Sequence, residues 1–292
     1  MTVKTFRATP WATLIAGLCL SGAASANWTF ENQTITPIGT AGTTTITSKD
    51  AVASTATVQL AAFYATNANF GAASGASTWA AATLTNQNGS GQGVCSTNDN
   101  GAGGCGTPNH AIDNVVNTEG VLLQFSSSVI LSSIGLGWTN SSSSVDVSLF
   151  RWTGAGNPTG LEGKTAKSMT GWELVGNYGD MAVDTTPIYN VVNTSQANGS
   201  GAGGSSNKGS SWWLISAYNS AFTSTASQTR DAGTLTNGDD YFKLFGVTGT
   251  TCSSVKGADC GGKRLPEPAS LALVGGALLG MFGLRRRKSS AV

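Results

Sequence analysis

The feature that most constrains this chain is a set of eight short runs rich in Val, Ile, Phe, Tyr and Trp, none of them with helical periodicity: TVQLAAFYAT (57–66), GVLLQF (120–125), VILSSIGLGW (129–138), VDVSLFRW (145–152), WELVGNY (172–178), IYNVV (188–192), SWWLISAY (211–218) and YFKLFGV (241–247). β-branched and aromatic side chains suit a pleated, half-buried surface, and turn clusters such as NSSSS (140–144) and NGDD (237–240) cut the runs apart. Short strands at this spacing predict an all-β fold, an antiparallel β-sandwich or jelly roll.

Two runs disclose their faces. In VDVSLFRW, Val145, Val147 and Leu149 alternate with Asp146, Ser148 and Phe150, so the first set is expected to face the core. SWWLISAY is bulky on both faces, which predicts a central strand buried on both sides. Core packing is the commoner use of such tryptophans. A platform on which sugar rings stack is the alternative for Trp152, Trp172, Trp212 or Trp213. Two low-complexity stretches, 86–106 and 193–211, read as surface loops whose Ser and Thr residues suit glycan attachment.

The ends of the chain carry a different signal. Residues 1–26 have a weakly basic opening (Lys4, Arg7), an apolar stretch from Trp11 to Leu20, and Ala24-Ser25-Ala26 before Asn27, the pattern of a secretory signal peptide cut by signal peptidase. At the other end an apolar run from Ala269 to Leu284 stops abruptly at Arg285, Arg286, Arg287 and Lys288. As a helix it would span roughly 24 Å, short for a bilayer core of about 30 Å, so it suits a temporary tether better than a permanent anchor. The expected organisation is therefore a signal peptide at 1–26, an exported β-sandwich at 27–265 and a separate C-terminal segment with a short transmembrane helix at 266–292. Without the six basic residues of the two ends, the sixteen Lys and Arg fall to ten against fifteen Asp and Glu, Glu267 counted, a net charge of about −5. That excludes nucleic acid as a partner, because no basic surface is left to neutralise phosphates.

Cysteine usage fits an oxidising compartment. With Cys19 in the signal peptide, Cys95, Cys105, Cys252 and Cys260 remain, and three pairings are possible. The local pairs Cys95–Cys105 and Cys252–Cys260 are favoured, since each closes a Gly-, Asn- or Asp-rich loop. The spacing is not that of a zinc site.

No catalytic residue stands out, and the chain is expected not to be an enzyme. His110 is the one histidine, three residues before Asp113, and reads as structural. GNPTGLEGKT (156–165) ends like a phosphate loop, but Pro158 occupies the first glycine position and spoils the anion cradle. Glu162 and Glu173 have no spacing that marks a glycosidase pair. One constellation suits a hard cation: Asp113 and Asn114 in HAIDN with Asp239 and Asp240 in NGDDYFKLF, oxygen ligands at strand entrances of the kind Ca²⁺ selects. Turn and capping carboxylates are the commoner use of such residues, and no other cofactor is expected.

Pro266-Glu267-Pro268, the short apolar run and the Arg285–Lys288 terminus, in this order, resemble the PEP-CTERM sorting signal of exosortase substrates. The resemblance implies a Gram-negative envelope protein, exported across the inner membrane, held there transiently by its tail and cleaved near the PEP motif by exosortase, an integral-membrane cysteine protease. The basic cluster would hold the tail on the cytoplasmic side. The middle of the chain, through NHAIDN, GVLLQFSSSVILSSIGLGW, GWELVGNY, WWLISAYN and DDYFKLFGV, is similar to exosortase-dependent surface proteins. It implies a cell-surface or extracellular-matrix protein associated with exopolysaccharide, with a secreted carbohydrate-binding module as the alternative and a hydrolase as a remote third.

Overall fold

The computed structural model describes residues 26–31, 44–47, 56–66, 77–86, 89–97, 99, 110–139, 145–158, 161–165, 169–181, 183–190, 208–222, 235–236 and 238–261. They form fourteen strands: β1 (Ala26–Thr29), β2 (Thr44–Thr47), β3 (Thr57–Ala65), β4 (Trp79–Ala81), β5 (Thr83–Asn86), β6 (Gln92–Cys95), β7 (Ile112–Asp113), β8 (Glu119–Thr139), β9 (Val145–Trp152), β10 (Trp172–Met181), β11 (Asp184–Asn190), β12 (Lys208–Ala217), β13 (Tyr241–Thr251) and β14 (Asp259–Cys260). One 3₁₀ turn, Cys252–Ser254, is the helical element among the described residues. Residues 1–25 of the expected signal peptide and the whole of 266–292 lie outside them, whereas Ala26, placed at the end of that signal peptide, opens β1 opposite Gly249.

Strand β8 organises the fold. Its 21 residues merge two runs that the sequence separates, and it changes neighbours along its length. Residues 119–125 lie between β3 and β12, while the half from Val129 onward pairs with β13 and β11. The connecting serines carry no turn. Ser126 Oγ accepts the Thr57 N–H at 2.9 Å, so a residue of turn-like composition is satisfied inside a strand. The main path of the sheet is β10-β9-β12-β8-β13-β6-β5, antiparallel throughout, and the short β14 adds to β12 in parallel.

Alternation explains the layering. Val58 and Leu60 of β3, Val121, Leu123 and Phe125 of β8, Val145, Val147 and Leu149 of β9, and Trp213 and Ile215 of β12 join Leu131, Ile134, Phe242, Leu244 and Val247 from the other half in one core. The two halves thus close over each other as an antiparallel sandwich. Trp28 seals one end. Its ring is fully buried edge-on against Phe125, and its indole N–H donates to Ala56 O at 2.9 Å.

The opposite face of the first half is also covered. Phe63, Leu122, Phe150, Leu174 and Leu214 meet Trp79, Leu161 and Phe222 in a second cluster. Val145, Val147 and Leu149 of β9 face the main core as expected, and the alternate residues Asp146, Ser148 and Phe150 are buried as well. As expected, β12 is central and buried on both sides, between β8 and β9.

Candidate functional site

One strip of the outer face is only partly covered: Trp152 and Trp212 pack at the edge of the second cluster and remain half-buried. Register places Trp172 opposite Trp152, Trp212 opposite Gln124, and Gln124 opposite Gln59. Trp213 faces Arg151, so one step on, Trp212 and Trp152 come side by side on β12 and β9. The row crosses β9, β12, β8 and β3. Gln59 is exposed, and Trp152, Trp212 and Gln124 are half-buried.

The row is rigid at its aromatic end. Trp152 donates its indole N–H to Gly156 O at 2.8 Å and meets Trp172 edge-on at 5.7 Å. Gly154 and Gly171 press against its ring so closely that a Cβ on either would come 2.2 and 2.3 Å from ring carbons. Gly171 also has φ 82°, which glycine adopts without strain. Trp212 reaches Asn157 Oδ1 at 3.5 Å through its indole N–H.

The four candidate tryptophans thus divide. Trp213 is a core residue whose N–H is bonded to Val129 O and Ser210 O, and Trp172 is buried beneath Trp152. Trp152 and Trp212 present surface.

The candidate cation ligands lie at a different end of the sandwich. Asp113 pairs with Tyr241 across β7 and β13, which sets Asn114 beside Asp240. Asn114 Nδ2 donates to Asp240 Oδ2 at 2.5 Å, and the Asp240 N–H donates back to Asn114 Oδ1 at 3.0 Å. The second Asp240 oxygen accepts the Asp146 N–H at 2.6 Å. The Asp146 carboxylate in turn accepts the N–H groups of Asp180 and Thr236, at 3.0 and 2.6 Å. Asp239 turns away and accepts from Thr236 Oγ1 at 2.8 Å. Asp113 Oδ1 accepts the Val115 N–H at 3.0 Å. Among the described residues no group of three or more His, Cys, Asp and Glu side chains is arranged to hold a metal ion.

Two neighbours escaped sequence reasoning. Glu119 and Asp99 are buried next to Asp113, and burial, reinforced by the Asp113 and Asp99 charges, drives the Glu119 carboxyl well above the usual range. Burial likewise pushes Asp113 up to about 7, and it raises Asp240 well above the usual range with the help of Asp146. A glutamate heading an apolar run was the available signal.

The end of the described domain is clamped. Cys252 and Cys260 form the expected disulfide, with Cα atoms 5.8 Å apart. Cys95 is also disulfide-bonded, and its expected partner Cys105 lies outside the described residues. The buried Arg151 side chain pairs with Asp259 and with Glu173, whose other oxygen binds Lys208 Nζ at 2.6 Å. Burial works against the Glu173 charge, but the Lys208 and Arg151 hydrogen bonds outweigh it and hold this carboxyl below its usual range.

Other candidates resolve as structure. His110 is buried and stacked on Trp138. In the GNPTGLEGKT stretch the Gly163 N–H donates to Trp79 O and Lys164 O accepts from Trp79 N–H, so these groups serve β4. Glu162 is exposed.

Among the described residues no helix is long and apolar enough to cross a membrane. Pro266, Glu267, Pro268 and Arg285–Lys288 lie outside them. No curated protein and no solved structure matches the chain. Residues 265–288 match the family model of the PEP-CTERM protein-sorting motif. The chain thus carries a C-terminal PEP-CTERM sorting motif, which implies export to the cell envelope or surface with exosortase as processing partner.

Proposed function

We propose that the exported domain holds polysaccharide at the cell surface or in the extracellular matrix, through the strip of Trp152, Trp212, Gln124 and Gln59. The observation that carries this reading is the row itself: two partly exposed indoles continue, strand by strand, into two amide side chains. Indole faces stack on the C–H faces of sugar rings, and primary amides both donate to and accept from hydroxyls. Neighbouring strands lie about 4.8 Å apart, close to the length of one pyranose unit, so a glycan laid across the strands meets one side chain per residue. The clamped Trp152 ring loses little freedom on binding.

The reading is one of binding, without catalysis. Glu173 is engaged by Arg151 and Lys208, and Asp146 and Asp240 are engaged by backbone N–H groups and Asn114, which leaves none of them free beside the strip as a general acid.

A glycan array and sedimentation with insoluble polysaccharides, using protein recovered from the cell surface, test it. Trp212→Ala is expected to weaken binding at least about tenfold, corresponding to ~1.4 kcal/mol, with the fold intact. Absence of glycan binding by the wild type, or equal binding by Trp212→Ala, overturns the reading.

A further inference from the structure

The buried carboxyls of Asp99, Asp113 and Glu119 have no part in the strip. They come from three elements, the turn after β6, strand β7 and the head of β8, and are 6%, 2% and 0% exposed. Two have identified donors: Asp99 Oδ2 accepts the Ser96 N–H at 2.7 Å, and Asp113 Oδ1 accepts the Val115 N–H. Glu119 Oε2 receives only a long 3.3 Å bond from the Asp113 N–H, and its Oε1 has no donor although it is fully buried. The side chain facing Glu119 is Asp99, close enough to share a hydrogen bond. Two carboxylates cannot make that bond, because neither has a hydrogen to give. A proton on the buried Glu119 carboxyl supplies that hydrogen.

We propose that this trio is a proton-binding site that locks β7 and the Ser96–Asp99 turn onto the head of β8, and that the lock opens when the proton is lost. Among the described residues Tyr241 on β13 also faces the trio, and burial, reinforced by the Asp113 and Asp99 charges, raises its hydroxyl above the usual range. Among the described residues, the charges that act on Asp113 and Glu119 are those of neighbouring carboxylates. Deprotonation therefore places like charges on carboxyls buried close together. The sign follows from the upward shifts: the lock is complete in acid and is lost as pH rises through the folded-state values, about 7 for Asp113. A protein addressed to the cell surface meets outside pH directly, so the lock would respond to the surroundings of the cell.

The closing experiment is amide hydrogen exchange of the full chain from about pH 5.5 to about pH 8.5, corrected for intrinsic rates. Protection of residues 111–119 is expected to fall at least about tenfold across this range relative to the β12 amides, and Glu119→Gln, which carries its own donor, is expected to stay protected. If Glu119→Gln does not fold, Asp99→Asn tests the same shared hydrogen bond. Constant protection in the wild type overturns the proposal. So does a pH response that survives in both variants but vanishes in Asp240→Asn, since the Asp146–Asp240 pair lies across Asn114 from the trio. Recovery of protection at high pH by added calcium, in wild type only, would replace the proton with a metal ion and also overturn it.

Discussion

Asn114 and Asp240, 126 residues apart, are bonded in both directions, side chain to carboxylate and backbone N–H to side-chain oxygen. This exchange fastens the turn after β7 to the start of β13. Asn114→Ala removes both bonds and leaves a buried carboxyl short of a donor, at an expected cost of about 2–4 kcal/mol by chemical denaturation. Because both Asp240 oxygens are already engaged, a cation would have to displace protein donors. Melting curves with calcium and with chelator are therefore expected to coincide; a calcium-dependent rise that Asp113→Ala abolishes would show that the cation is bound.

The Arg151 guanidinium joins β9 to β10 and β14, donating to Glu173, to the Asp259 carboxylate and carbonyl, and to Gly209 O. Arg151→Ala leaves carbonyls and a carboxylate without their donor and is expected to cost about 2–4 kcal/mol, discounted toward the lower end because Asp259 is 65% exposed. The depressed Glu173 carboxyl adds stability that is present above the ordinary glutamate range and is lost as pH falls through its lowered value. Acid titration of wild type against Glu173→Gln measures this contribution, whose sense is opposite to that of Glu119.

Adjacent tryptophans on β12 should behave oppositely. Trp213→Ala empties a fully buried core position and is expected to destabilise by about 3–5 kcal/mol. Trp212→Ala, on the half-buried strip, is expected to change stability much less and to act on binding. Thermal melts of the two variants side by side decide this.

That contrast marks the limit of what the sequence discloses. Long runs of β-branched and aromatic residues identified β3, β9, β10, β12 and β13, because bulk and turn punctuation are local properties. SWWLISAY declared itself central, but which tryptophan meets water depends on where loops 153–158 and 169–171 lie, which no periodicity encodes. Strands of two to four residues such as β7 and β14 have too few positions to show a period and are formed by their partners. Ser126 to Ser128 imitate a turn because composition cannot register that Thr57 will donate to Ser126. Asp113, Asn114 and Asp240 were legible as turn oxygens near strand entrances. Glu119 and Asp146 were not, since a charged residue in a strand ordinarily marks the wet face, and here both faces are covered.

The two local disulfides are expected to be Cys95–Cys105 and Cys252–Cys260. Replacing the second pair by serine opens a bridge between residues eight apart and is expected to cost about 2–3 kcal/mol on the loop-entropy account. Non-reducing peptide mapping checks both, and a peptide linking the 95–105 region to 252–260 would contradict the pairing.

The clamp at β14 bears on the tail. Gly261 rests against the Trp152 carbonyl and Thr153, so the described domain is closed four residues before the sorting motif begins at Leu265. Cleavage near Pro266–Pro268 would then leave every described contact of the sandwich in place. Two outcomes follow for the protein recovered from the cell surface. Its intact mass is expected to lack the residues beyond about Pro268, and retention of Arg285–Val292 on most molecules would contradict exosortase processing. Its melting temperature is expected to equal that of the uncut chain, whereas a drop on cleavage would mean that the tail packs on the domain. Neutral replacements of Arg285–Lys288 separate address from fold, since they should leave the melt unchanged and abolish correct sorting, the cytoplasmic hold being electrostatic.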